Sequence, residues 1–337
     1  MRPTTTPRGD TTRLPMPEYH APWWLRGGHL ETVAPVLFPP TVPPYVSERR
    51  VVEVAPGSAV ELHLSTPERP RGGTVVAIHG LTGSAEGAHV RSLAAEALGR
   101  GWHAARLNLR THGGTTALSA SLYHAAQSDD IGAVCRALEA WGLPRPYAVI
   151  GISISGNQVL RYGATAGAGS AADAIVALNP PVDLFRVERE IDRLSNRVYR
   201  ASYVRGLCRM LDEIRAVRHV DGPPANPRRL RTIRAFDAAF IAPAGGYPSV
   251  DAYYADASAG PLLHGLRTRA LVLSAENDPF IPPEMLRAHE GAGGRLKLRL
   301  ASRGGHVGYL SGPSRRRLRF WAAGPVMDWL DGQRLAR

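Results

Sequence analysis

Tyr147-Ala-Val-Ile-Gly151-Ile-Ser153-Ile-Ser155-Gly156-Asn157 is a short apolar run that meets a serine flanked by small residues and then turns helix-like. The pattern predicts a strand, a sharp turn and a helix, with Ser153 at the turn. Such an elbow strains the serine backbone and exposes its hydroxyl at the carboxyl edge of a sheet. Residues two before and two after the serine must be small, because backbones pass close there. Gly151 meets this need fully, and Ser155 replaces the second glycine usual in such turns. Taken alone, the pattern also fits an ordinary strand–helix connection, so its surroundings decide.

On either side, short aliphatic runs recur at Thr74–Ile78, His103–Leu107, Ala174–Leu178, Ala270–Leu273 and Leu296–Leu300. Helical stretches lie between most of them, near Gly87–Leu98, Asp130–Trp141 and Gly156–Tyr162. Strands separated by helices build βαβ units and a mainly parallel sheet, twisted and covered on both faces. Val51–Val54 and Val60–Leu64 flank Pro56-Gly57-Ser58 and read as an opening β-hairpin. The interval Pro180–Gly260 holds no strand candidate and is too long for a simple crossover. It starts with an apolar stripe at helical spacing, Leu184, Val187, Ile191, Leu194 and Val198, until Pro223, Pro224 and Pro227 interrupt it. A helical cap over the functional edge of the sheet is expected from about 181 to 260.

The 337 residues allow two domains or one α/β domain with an insertion, and enough buried surface to need no staples. We expect one domain over 23–337, preceded by a disordered tail over 1–22 that is rich in Thr, Pro and Arg and lacks a signal-peptide core. Only two cysteines, Cys135 and Cys208, are present, too few for a disulfide framework or a cysteine-based zinc site, which suits a cytoplasmic protein. No apolar run reaches the roughly 18 residues of a spanning helix, so no stable membrane insertion is expected. Trp23-Trp24 reads as an arm packed on the domain rather than an interfacial anchor. The net charge of +12 invites a nucleic-acid reading. Forty of the 41 basic residues are arginines, the exception being Lys297, and most are scattered. That skew reflects composition, and no nucleic-acid partner is expected.

Two stretches downstream complete a chemical constellation. Leu271-Val-Leu-Ser-Ala-Glu-Asn-Asp278-Pro places an acid just past a strand, and Gly304-Gly305-His306-Val-Gly308 places an imidazole after the last strand. Upstream, His79-Gly80-Leu81-Thr82-Gly83 follows the Thr74–Ile78 strand. The order serine, acid, histidine is that of an α/β-hydrolase triad. Ser153 is the candidate nucleophile, His306 its base, and Asp278 the group that orients the imidazole. Backbone N–H groups of Leu81 and Ile154 are the candidate oxyanion hole. Glu276 is the second choice of acid. His112, His124, His264 and His289 lack the glycine setting of His306, and His79 reads as structural. Ser155 could donate a hydroxyl to the site, though a second nucleophile two residues on would face elsewhere. No cofactor and no metal are implied.

The sequence resembles the YheT-type branch of the α/β-hydrolases, AB hydrolase family 4, over about Trp23 to Leu330. The resemblance rests on Gly28-His29-Leu30-Glu31-Thr32-Val33, His79–Ser84, Leu122-Tyr123-His124 ahead of Asp130, and Arg234-Ala-Phe236-Asp237-Ala-Ala-Phe240. Tyr253-Tyr254 before Ser258, Asp278-Pro279-Phe280-Ile281-Pro282 and Gly304–Tyr309 complete it. It implies serine hydrolase activity on carboxylic esters, lipid esters included, with Ser153, Asp278 and His306 in the triad positions. Ser155, Thr111-His112 and Gln127 depart from the family pattern (Gly, Gly-Cys and an acidic residue) and bear on the substrate pocket. An acyltransferase on the same triad and a catalytically silent binding protein are the alternatives. A small-molecule ester is the expected partner, and the sequence is silent on oligomeric state.

Overall fold

The computed structural model describes residues 17–226 and 228–333. Eight strands form one sheet in the order β1-β2-β4-β3-β5-β6-β7-β8. They are β1 Glu48–Ala55, β2 Ser58–Ser65, β3 Thr74–Ile78, β4 His103–Asn108, β5 Tyr147–Ile152, β6 Ala174–Leu178, β7 Arg269–Ala275 and β8 Leu296–Ala301. β1 and β2 form the expected hairpin, and β2 runs antiparallel to β4. Every neighbour pair from β4 through β8 is parallel. The carboxyl ends of six strands therefore share one edge, the place where open α/β sheets hold ligands.

β3 is buried at all five positions, and its side chains alternate between two cores. Val76 and Ile78 join Val134, Leu138, Val159 and Leu160 on one face. Val75 and Ala77 join Val90, Leu93, Val326 and Met327 on the other. The helices that supply these residues are α2 Ala88–Gly99, α3 Asp129–Ala140, α4 Ile154–Ala166 and the C-terminal Ala323–Gly332. An earlier helix, α1 Gly28–Leu37, precedes the sheet and has no counterpart in the sequence reading.

Between β6 and β7 the chain is helical. α5 Leu184–Asp192 begins at Asp183, whose carboxylate accepts the Arg186 N–H at 3.1 Å, an N-cap. α6 Arg197–Arg215 follows, and Val250–Ala257 is the last long turn. Leu207, Leu211, Phe236, Phe240, Tyr253 and Tyr254 give this region its own small core.

Two expectations need correction. Residues 1–16 lie outside the described residues, but the tail drawn to 22 overreaches. Tyr19 is buried, and its hydroxyl donates to the Leu310 carbonyl at 2.8 Å. An aromatic residue that packs edge-on against Tyr309 belongs to the body. The second correction concerns the apolar stripe. Leu184, Val187 and Ile191 are buried, whereas Leu194 and Val198 are 75% and 65% exposed. The helix breaks at Arg193 (ψ 147°), and the Asn196 side chain pins the break by donating to the Glu190 and Pro279 carbonyls. A new helix in a new direction restarts the phase of the pattern.

In the arm, Trp24 packs edge-on against Phe38 with Arg315 over its ring, while Trp23 is 83% exposed. Among the described residues no helix is long and apolar enough to cross a membrane.

Candidate active site

The elbow forms where the sequence placed it. Ser153 has φ 54° and ψ −118°, a conformation that costs a non-glycine residue on the order of 1–3 kcal/mol. β5 lies between β3 and β6, with Gly151 level with Ile78 and Ala177, so the turn emerges beside both neighbouring strand ends. A Cβ on Gly151 would lie 2.1 Å from the Ser155 carbonyl oxygen, which is why this position has no side chain. Ser155 is fully buried, and its hydroxyl donates to the His79 carbonyl at 2.5 Å. It ties the elbow to the neighbouring loop and takes no place beside Ser153.

Ser153 Oγ lies 2.8 Å from His306 Nε2, and His306 Nδ1 lies 2.9 Å from Asp278 Oδ2. The carboxylate leaves its Nδ1 partner only one tautomer that bonds, N–H on Nδ1 and a lone pair on Nε2 toward the serine. Asp278 is itself held: Oδ1 accepts N–H groups of Phe280 at 2.8 Å and Ile281 at 3.1 Å. These come from the turn that Pro279 opens.

A fourth residue joins them that sequence reasoning missed. Asn179 follows β6, takes a left-handed φ of 46°, and is fully buried. Its Nδ2 donates to Asp278 Oδ2 at 2.7 Å and lies 3.2 Å from the Gly305 carbonyl, linking the acid loop to the histidine loop. The available signal was a polar residue at a strand's carboxyl end, ahead of Pro180-Pro181.

The histidine loop is braced from far away in sequence. Thr32 Oγ1 on α1 accepts the His306 N–H at 2.9 Å, and Glu31 accepts the Gly304 N–H at 2.9 Å. Glu31 is buried and also takes hydrogen bonds from Asn277 and Arg303. The glycines around His306 make room for this arm rather than for the imidazole: a Cβ on Gly305 would meet Gly28 O at 2.5 Å, and one on Gly308 would meet Glu31 O at 2.2 Å. The Gly28–Val33 stretch thus has a physical role beside the site.

Leu81 and Ile154 both line the cavity onto which Ser153 and His306 open. Ile154 begins α4, so its N–H is one of the orphan donors of a helix start. Among the described residues neither amide has a hydrogen-bond partner in the chain. Both remain available to a bound oxygen.

The other candidates sit elsewhere. Glu276 pairs with Arg287 at 2.5 Å on the surface. His79 keeps a proton on Nδ1 for the Gly80 carbonyl and accepts the Leu109 N–H at Nε2, and burial pushes its pKa down to about 3. His112 hydrogen-bonds the Arg110 carbonyl, and burial lowers it to about 4. His264 contacts the Pro261 carbonyl at the surface, and His289 packs near Gly260. His124 lines the cavity, but its Nδ1 has no partner.

The cavity and its solvent-open mouth together span roughly 870 Å³. Leu184, Val187 and Ile191 of α5 and Leu207 and Met210 of α6 form much of its wall. A nucleophilic oxygen with a base and free amide donors, opening into an apolar cavity, can attack an uncharged carbonyl and stabilise the oxyanion that results.

Residues 73–313 match the α/β hydrolase fold family. The chain belongs to that family. Within it, the chain is similar to YheT of Escherichia coli (strain K12), classed by name as an esterase, with 28% identity over 90% of this chain and 89% of that protein. It is also similar to a monoacylglycerol lipase of Saccharomyces cerevisiae, at 24% identity over 76% of this chain and 58% of the other. Among solved structures, 2,6-dihydroxy-pseudo-oxynicotine hydrolase superposes with a TM-score of 0.58 and 17% identity, covering 91% of this chain and 72% of that one. The last likeness speaks for the fold.

Proposed function

We propose that the protein is a serine hydrolase of carboxylic esters working through an acyl-Ser153 intermediate. The observation that carries the reading is the chain of contacts Ser153 Oγ–His306 Nε2–Asp278 Oδ2 at 2.8 and 2.9 Å, set on a strained elbow. Ser153 Oγ attacks the ester carbonyl as His306 Nε2 takes its proton. The N–H groups of Leu81 and Ile154 hold the oxyanion, each donor being worth about 2.7–4 kcal/mol in the transition state. Imidazolium returns the proton to the leaving alkoxide. Water then attacks the acyl carbon as His306 takes its proton, and the imidazolium returns that proton to Ser153 Oγ as the acid leaves. Asp278 keeps the imidazole in its working tautomer and stabilises the imidazolium. No step needs a metal or cofactor.

Residues 181–260 act as the cap that roofs the site. The apolar wall suits an uncharged acyl chain of short or medium length, and the lipase relative supports lipid esters as the longer limit of the same class. A small ester in the cytoplasm, without nucleic acid or an inserted membrane anchor, is the working setting. The test is a ladder of p-nitrophenyl esters from short to long acyl chains against a matched anilide. Ester turnover should far outrun the anilide, since an alkoxide leaves more easily than an amide nitrogen. Comparable rates on both would remove the esterase reading.

A further inference from the structure

The apolar cavity has one polar cluster that the hydrolytic steps do not use. Asp237 lines the cavity, is only 8% exposed, and accepts the Tyr254 hydroxyl on Oδ2 at 2.9 Å. Among the described residues no donor reaches its Oδ1. Glu188 of α5 lines the same cavity and shares a side-chain hydrogen bond with Asp192, with Arg234 and Arg189 nearby. His124 lines it too, with a buried Nδ1 that has no partner. Arg234 lies 5.8 Å from the Tyr254 ring, but its guanidinium is taken by Asp251 at 2.6 Å.

These groups come from three separate stretches of chain. Ala125, next to His124, donates its N–H to the Tyr253 hydroxyl at 3.0 Å, which ties the first stretch to the third. Asp237 opens a π-helical turn, Asp237–Ile241, a widened backbone form found often at functional sites. Burying a carboxyl without full hydrogen bonding is costly, and the chain supplies only one donor here. Burial, with Glu188 adding to it and Tyr254 opposing it, pushes Asp237 up to about 7. A carboxyl in that range both accepts and donates hydrogen bonds near neutral pH.

We propose that Asp237, with Tyr254, forms a subsite for a hydroxyl group carried on the substrate's chain away from the scissile carbonyl. The preferred substrates are then hydroxyl-bearing esters rather than plain alkyl ones. The hydroxyl donates to Asp237 Oδ1 and replaces the water that the carboxyl loses when an apolar chain fills the cavity. A plain chain leaves that oxygen desolvated and unpaired, the situation in which sites built for a hydroxyl discriminate against its absence. The hydroxyl suits the site better than a cation does, because burial drives Asp237 toward its neutral form and Arg234 stands nearby.

The inference rests on the ester-hydrolase reading for its kinetic readout and not for its binding readout. In the kinetic arm, p-nitrophenyl alkanoates are compared with their ω-hydroxy counterparts over a range of chain lengths. The kcat/KM ratio of hydroxy to plain ester should exceed about 10 at the lengths that reach Asp237. It should fall toward unity in Asp237→Leu and fall partway in Tyr254→Phe, a variant that removes one hydroxyl and little volume. A ratio at or below unity at every length, or a ratio that survives both substitutions, overturns the subsite. If the wild-type protein turns over no ester, the hydrolase reading fails and calorimetry decides the subsite alone. There, 10-hydroxydecan-2-one should bind more tightly than decan-2-one to wild-type protein but not to Asp237→Leu. Equal binding to wild-type protein overturns it.

Discussion

The sheet with its edge loops and the helical stretch between β6 and β7 solve different problems by different means. In the sheet, Ser153, Asp278 and His306 each follow the end of a parallel strand, so their relative positions come from backbone hydrogen bonding. Tolerances there are set by backbone: Gly151, Gly305 and Gly308 each face another carbonyl too closely to admit a Cβ. In the helical stretch, α5 and α6 are joined at a kink; α6 and Leu184 of α5 rest on a separate small core that includes Phe236 and Phe240, while Val187 and Ile191 pack into the core of the sheet. Apart from Asn179 at the start of the stretch, its side chains line the cavity and, among the described residues, make no hydrogen bond to the Ser153–His306–Asp278 chain. The difference teaches that backbone pairing sets the placement of the Ser153, Asp278 and His306 loops, while side-chain packing sets the shape of the cavity beside them.

The largest effect expected from this contrast is at the elbow. Gly151→Ala puts a methyl 2.1 Å from a backbone oxygen that has nowhere to move, so ester turnover should fall by at least about 100-fold. Gly99→Ala, which meets nothing within 4 Å at the end of α2, is the control and should be neutral to slightly stabilising. Equal behaviour of the two would dissolve the distinction. A middle-sized effect belongs to the tie between the acid and histidine loops. Asn179→Ala removes the donor to Asp278 and the contact with Gly305, and kcat/KM should drop about 10- to 100-fold while the protein still folds, as checked by thermal melts.

The smallest effect is in the cap and depends on pH. The Asp237 carboxyl has a folded-state pKa raised from 3.8 to about 7, so the native state holds its proton where the unfolded chain has lost it. Stability from this group is therefore unpenalised below about pH 4 and falls as pH rises toward 7. Asp237→Asn abolishes the titration and keeps an acceptor for the Tyr254 hydroxyl. Its melting temperature should exceed that of wild type at pH 8 and approach it at pH 5. A constant difference across that range would show that Asp237 does not titrate as its burial implies.

Much of the sheet was legible because strands buried on both faces leave continuous aliphatic runs, which the structure extends by up to three residues in the parallel strands. β3 and β6 match their expected spans, Thr74–Ile78 and Ala174–Leu178. The candidate triad was marked in the sequence for a related reason: Ser153 closely follows such a run, and Asp278 and His306 lie within six residues of theirs. What could not be read is held by contacts distant in sequence. Thr32 meets His306 across 274 positions, and Asn277 meets Glu31 across 246, so nothing local announces the brace on the histidine loop. Tyr19 likewise gains its burial from Tyr309 and Leu310, which a composition-based tail boundary ignores. Leu194 and Val198 continue the helical period of Leu184–Ile191, but the period carries no information about a break fixed by Asn196.

The central claim is that Ser153 is a nucleophile primed by His306, and covalent trapping tests it most directly. The wild-type protein is treated with a fluorophosphonate, and the modified residue is mapped by peptide mass spectrometry in parallel with Ser153→Ala. The account predicts a single stoichiometric adduct on Ser153, absent from the variant, with ester turnover lower by roughly 10⁴- to 10⁶-fold in that variant. An adduct on another serine, or labelling and turnover that persist in Ser153→Ala, would contradict it.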